Sequence, residues 1–236
     1  MSLQGNLSKL RILGYKFNLE TSCGMDTLII TDIPERIKSL VIPEGVQSIK
    51  LPVHSRIHRE KISRSIQTVK LPNTLKTIGD LFFFCCEGLV SVDIPSSVEW
   101  IGSEVFSGCV NLTHIGGIEH LKNIGYAAFE NTKLEGDIKL NSKLKCLGER
   151  AFSGSKISSI DFNHCVINAI GNNTFSRCRN LERVLGLGNK TKAIGKFAFM
   201  DCARLKELEI AQEESEMSIS KSAFIGCNNV KITRKG

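Results

Sequence analysis

Cysteine has the widest chemical reach of any residue type in this chain, and its spacing narrows what it can do. Five of the nine cysteines, Cys86, Cys109, Cys178, Cys202 and Cys227, fall on one frame with a step near 23 residues, and Thr132 and Ser155 fill the two remaining places. Two chemistries fit such a column. Cysteines on stacked coils, with Cα atoms ~4.8 Å apart, lie inside the window of about 4.4–6.8 Å that a disulfide needs. A reduced ladder of small, weakly polar side chains at a turn fits as well. The second reading is preferred, because side chains pointing the same way rarely reach the disulfide torsion and the count is odd. The start, MSLQGNLSKLRILGY, also shows no apolar core of a secretory signal.

The other reactive groups assemble into nothing recognisable. His54 and His58 have i, i+4 spacing and His164 adjoins Cys165, but neither pair has the third and fourth ligands of a zinc site. No C-x-x-C and no G-x-S-x-G occurs. Gly186-Leu187-Gly188 is followed by Thr191 where a dinucleotide loop has glycine. No catalytic residue, metal or cofactor is expected. Asn-x-Ser/Thr occurs at Asn6, Asn111, Asn172 and Asn189, at about the frequency chance gives, so it does not establish secretion.

The elements that carry the cysteines are repeats. Ile78-Gly79, Ile101-Gly102, Ile124-Gly125, Leu147-Gly148, Ile170-Gly171 and Ile194-Gly195 recur at 23 or 24 residues, and Ile219 follows without its glycine. Five residues on comes Phe83, Phe106, Phe129, Phe152, Phe175, Phe199 or Phe224, and three further the cysteine column. Upstream lies a strand signature of paired apolar residues at i and i+2, as in Val92/Ile94 and Leu208/Ile210, closed by Pro43, Pro72 and Pro95 in the early copies. Each unit reads as one coil of a solenoid: a short strand, a turn, an irregular return ending in Ile-Gly, and a short helical turn that places Phe inside. The glycine supplies either a positive φ or room for a neighbouring backbone. A single coil cannot bury its own apolar face, so the stack is the folding unit.

Composition agrees. The 236 residues carry a net charge of +7, with 23% charged and 42% hydrophobic residues, which argues against disorder. No apolar run approaches the ~18 residues of a membrane span. Residues 1–36, with FNLE and TLIITDI, read as a β-rich capping segment. Residues 37–236 read as the solenoid, with a degenerate first repeat, an insertion at 50–66 and about seven coils.

VSVDIPSSVEWIGSEVFSGCVNLTHI, residues 90–115, resembles the leucine-rich repeats of the BspA-like type, L-x-x-I-x-I-P-x-S-V-x-x-I-G-x-x-A-F-x-x-C. The resemblance covers about residues 37–232. Phe82, Val105 and Thr174 depart from it where the family has Ala. It implies an α/β repeat solenoid: a right-handed superhelix or horseshoe with a parallel β-sheet on the concave face and short irregular or 3-10 turns on the convex side. Many proteins of this type look like surface or secreted adhesins that bind host proteins, while others carry no signal and read as intracellular. The resemblance therefore implies a non-enzymatic protein-interaction module, adhesin-like or, alternatively, an intracellular scaffold or regulator.

On such a solenoid the residues alternating with the core ones face outward along the inner curve. They supply the candidate binding residues Asp93, His114, Asp137, Lys139, Asp161, Arg183, Glu207 and Glu209. The acid lean, in a chain of net +7, favours a cationic patch on a protein or peptide and argues against nucleic acid. A second candidate is the basic insertion, with Arg56, Arg59, Lys61 and Arg64, suited to an anionic glycan or surface.

Overall fold

The computed structural model describes residues 3–32, 34, 37–52, 66–162, 165–188, 190–210 and 217–234. The insertion residues Arg56, Arg59, Lys61 and Arg64, and also His54, His58 and His164, lie outside the described residues.

The chain opens with a helix that the sequence reading does not place. In α1 (Leu3–Ile12), Leu3, Leu7 and Leu10 follow helical spacing, and Leu7 and Leu10 are buried. Gly14, at φ 84°, ends it. Its N–H bonds the Arg11 carbonyl and the Tyr15 N–H reaches back to Leu10, the paired closure of a left-handed C-cap. Strands β1 (Lys16–Ser22) and β2 (Met25–Asp32), which contain FNLE and TLIITDI, form an antiparallel hairpin.

Each coil then carries two strands, not one. They alternate as β3 (Ser39–Val41), β4 (Ser48–Lys50), β5 (Thr68–Lys70), β6 (Thr77–Ile78), β7 (Ser91–Asp93), β8 (Trp100–Ile101), β9 (His114–Gly116) and β10 (Asn123–Ile124). They continue as β11 (Glu135–Lys139), β12 (Cys146–Leu147), β13 (Lys156–Asp161), β14 (Ala169–Ile170), β15 (Arg183–Leu187), β16 (Ala193–Ile194), β17 (Glu207–Ile210), β18 (Ser218–Ile219) and β19 (Lys231–Arg234). From β3 on, odd-numbered strands pair in parallel with odd, and even with even. The return segment expected to be irregular is thus the second sheet. β2 pairs in parallel with β4, Leu28 opposite Ile49, and β1 beyond it forms the edge of this sheet.

The Ile-Gly pairs build this second sheet. Ile49, Ile78, Ile101, Ile124 and Leu147 stand in register and are buried. The glycines beside them answer the open alternative in favour of room. None of the six has a positive φ. A Cβ on Gly148 would come within 2.5 Å of the Gly125 backbone, and one on Gly79 within 2.8 Å of the Ile49 carbonyl.

The Phe segment also departs from expectation. It is a run of tight turns and not a helix: alternate N–H groups bond to the next coil, and those between them close three-residue turns within their own coil, as Ser155 does on Phe152. The Phe106 N–H meets the Ala128 carbonyl at 2.8 Å and the Phe152 N–H meets Thr174 at 2.9 Å. Left-handed residues two before and two after the Phe, such as Arg150 (φ 60°) and Gly154 (φ 74°), turn these groups outward. Inside, the rings form one column from Phe83 to Phe224, stacked at 5.3–5.7 Å between centroids and within 18° of parallel. Each is a stacked pair of large side chains, and all but Phe224 are fully buried.

Candidate binding face

The odd-numbered strands hold the candidate residues. Their apolar members Val92, Ile138, Ile160, Val184 and Leu208 point into the core, so the residues on either side point out. Register turns the sequence columns into rows. Asp137 pairs with Ser159, Ser159 with Arg183, Arg183 with Glu207, and Glu207 with Lys231. Two residues along, Lys139 pairs with Asp161, Asp161 with Leu185, and Glu209 with Thr233.

Six of the eight predicted residues therefore share the five-stranded sheet β11-β13-β15-β17-β19. Asp93 and His114 do not. They lie on the two-stranded pair β7-β9, Asp93 opposite Gly116 and His114 opposite Ser91. The ladder breaks after Gly116, where Gly117 takes φ 81° and leads into the 3-10 helix Ile118–His120.

Two further points alter the electrostatics. The column ends on Lys231, which faces Glu207, so five acids (Asp93, Asp137, Asp161, Glu207, Glu209) stand against three bases (Lys139, Arg183, Lys231). Opposite signs alternate along the row, and the face is a patterned one more than an acidic one. Val230-Lys231-Ile232 carries the alternation that marks this last strand. Ser159, expected to point outward, is buried. Its hydroxyl donates to Asp137 Oδ1 at 2.6 Å, and Ser158 adds a second bond at 3.2 Å. The Ser159 bond, helped by Ser158 and by the charges of Arg183 and Lys139, holds the Asp137 carboxyl below its usual range.

The cysteine column is occupied by free thiols. Cys109 donates to the Phe83 carbonyl, Cys178 to Phe152 and Cys202 to Phe175, each at 3.0 Å, and Cys227 donates to Phe199 at 2.9 Å. Each bond joins one coil to the one before. Thr132 places its hydroxyl on the carbonyl of Phe129, the phenylalanine of its own coil, at 2.9 Å. The column thus asks for a small donor, and cysteine, threonine and serine all qualify. Burial pushes the Cys178 thiol up to about 12, far from the low values of reactive cysteines. Among the described residues, no group of three or more His, Cys, Asp or Glu could hold a metal ion. No helix among them is long and apolar enough to cross a membrane.

A family model for the BspA type leucine rich repeat region matches residues 34–137 and 118–231, with six copies. The chain belongs to this family. Solved structures agree with it on fold. The T. pallidum leucine-rich repeat protein TpLRR is 25% identical, over 80% of this chain and 87% of that one, with a TM-score of 0.65. A leucine-rich repeat protein from Bacteroides ovatus is 19% identical, over 93% and 69%, with a TM-score of 0.55. The pneumococcal vaccine antigen PcpA is 17% identical, over 92% and 69%, with a TM-score of 0.54. No curated protein matches the sequence. The BspA-type repeat accounts for the parallel-strand solenoid.

Proposed function

We propose that this BspA-type protein is a non-enzymatic protein-binding module that recognises its partner on the outward face of strands β11 to β19. The reading rests on one observation: Asp137, Arg183, Glu207 and Lys231 stand in a single register row beside Lys139, Asp161 and Glu209. The ladder fixes the backbone positions that carry these charges, so the face binds without ordering a loop. Alternating signs select a partner of complementary pattern more than they add raw affinity. In this reading Asp93 and His114 extend the face toward the N-terminus, residues 1–36 cap the stack, and the family resemblance favours an adhesin-like role at a surface. Thiols that hold the coils together by hydrogen bonds, and two exposed ones at Cys23 and Cys146, support a second reading as a scaffold in a reducing compartment.

The experiment compares affinity capture by the wild-type chain and by the triple variant Asp161→Lys, Glu207→Lys, Glu209→Lys. A partner that the wild type retains and the variant loses, at equal thermal stability, supports the face. A partner held equally by both places binding elsewhere. Localisation of the native protein and a count of its free thiols in the cell separate the two roles.

A further inference from the structure

The chain has one tryptophan, and the fold leaves it exposed. Trp100 shows 53% of its surface. It occupies the outward position of β8, in register with Thr77 of β6 and Asn123 of β10. No packing need accounts for an indole there, because the core of this coil is filled by Ile101 and Phe106.

Trp100 borders a groove of about 720 Å³ that opens on the second sheet over β2, β4, β6 and β8. That volume lies within the roughly 300–1,000 Å³ of small-molecule sites. The glycines Gly79 and Gly102 form part of its floor. Their N–H groups are already bonded to the Ile49 and Ile78 carbonyls at 2.8 and 2.9 Å. Over β4, β6 and β8 the groove therefore presents a sheet face with paired strands on both sides, and an extended peptide could not add there as a strand.

Recognition falls to side chains. Met25 and Leu51 give apolar wall, Thr77 donates to the Ser48 hydroxyl at 2.7 Å, and Asp80 is fixed by the Ser103 N–H on its Oδ1 at 2.7 Å. Lys50 and Asp80, one of each sign, are the charged groups lining the groove among the described residues. A matching ligand has a flat apolar face for the indole, hydroxyls at its rim and no net charge. A pyranose ring has these properties: its C–H bonds make one face apolar, and its equatorial hydroxyls can meet a threonine hydroxyl and a carboxylate.

We propose that this groove binds a neutral oligosaccharide, with Trp100 stacked on one pyranose ring and Thr77 and Asp80 meeting its hydroxyls. The site is separate from the charged strand face and does not depend on it.

The single indole makes the test direct. Full-length protein is titrated with cellotetraose, chitotetraose and maltotetraose while tryptophan emission and iodide quenching are followed. At least one of the three is expected to shift the emission saturably and protect the indole from iodide. Thr77→Val should weaken that binding several-fold. Trp100→Ala should abolish it by calorimetry, with the unfolding midpoint unchanged. The triple reversal of Asp161, Glu207 and Glu209 should leave the titration as it is, so the failure of one reading does not carry the other with it. No shift with any of the three sugars overturns the proposal. So does calorimetric binding retained in Trp100→Ala, or a response confined to a sulfated polyanion or an acidic peptide.

Discussion

The Cys178 thiol donates a hydrogen bond to the Phe152 carbonyl one coil upstream, at 3.0 Å. That carbonyl also takes the Ser155 N–H at 3.0 Å, so both its lone pairs are used inside the protein. Cys178→Ala removes the second donor and opens a small void, for a loss of about 1–2 kcal/mol. Cys178→Ser keeps a donor and should recover part of it. Urea unfolding of the two variants decides. Equal losses would show that the thiol acts by volume alone. The same group predicts an alkaline limit. Its pKa is raised from 9.0 to about 12 in the folded state, so the unfolded chain releases this proton first. Its contribution is complete below pH 9 and is lost as pH rises from about 9 toward 12. In Cys178→Ser the fall in unfolding midpoint between pH 9 and 11 should be smaller than in the wild type.

The ring column predicts a gradient along the stack. Phe152 is fully buried between the rings of Phe129 and Phe175, at 5.3 and 5.7 Å. Phe224 is only partly buried and stacks on Phe199 alone within the column. Phe152→Ala should cost about 3–5 kcal/mol through its cavity, and Phe224→Ala distinctly less. Equal costs would mean that the last coil is as closed as the middle ones.

Glycine gives the sharpest contrast of position. Gly148 lies where an added methyl would meet the Gly125 backbone at 2.5 Å, whereas a Cβ on Gly136 meets nothing within 4 Å. Gly136 does sit at φ 80°, which costs a non-glycine residue about 1–2 kcal/mol. Gly148→Ala must instead push two coils apart across a continuous ladder, and should prevent folding or lower the unfolding midpoint far more. Thermal melts of the two single variants rank the causes: close approach first, backbone conformation second.

The Ile, Gly, Phe and Cys columns are legible in the sequence because stacking puts each residue against its own copy, and one packing solution then repeats. The second strand of each coil is not, because two residues such as Trp100 and Ile101 are too few to show alternation, and their partners sit a coil away. The left-handed positions before six of the seven Phe are hidden as well. Their occupants Leu81, Glu104, Ala127, Arg150, Asn173 and Phe197 share no side-chain chemistry, and the inter-coil hydrogen bonds enforce the geometry. The charged face is legible as alternation within each strand. Its division into two sheets depends on the turn at Gly117, and the exposed Trp100 stands out only once the second sheet exists.

The pairing of Asp137 with Ser159 gives a prediction on the binding face itself. The Ser159 hydroxyl stabilises the charged carboxylate, so the Asp137 pKa lies below the usual aspartate value. A group depressed in the folded state contributes stability above its unfolded pKa, and loses it as pH falls through the folded one. Asp137 is exposed to solvent, so the effect on overall stability is small and the carboxylate is better observed directly. A carbon-detected NMR titration should place the Asp137 midpoint below the usual aspartate value. Ser159→Ala should bring it back toward the ordinary range, with Ser158 retaining part of the shift. If Ser159→Ala leaves the midpoint where it was, the field of Arg183 and Lys139 holds the carboxylate ionised. The row would then act as one charge network, and Arg183→Gln would raise the Asp137 midpoint in place of the serine change.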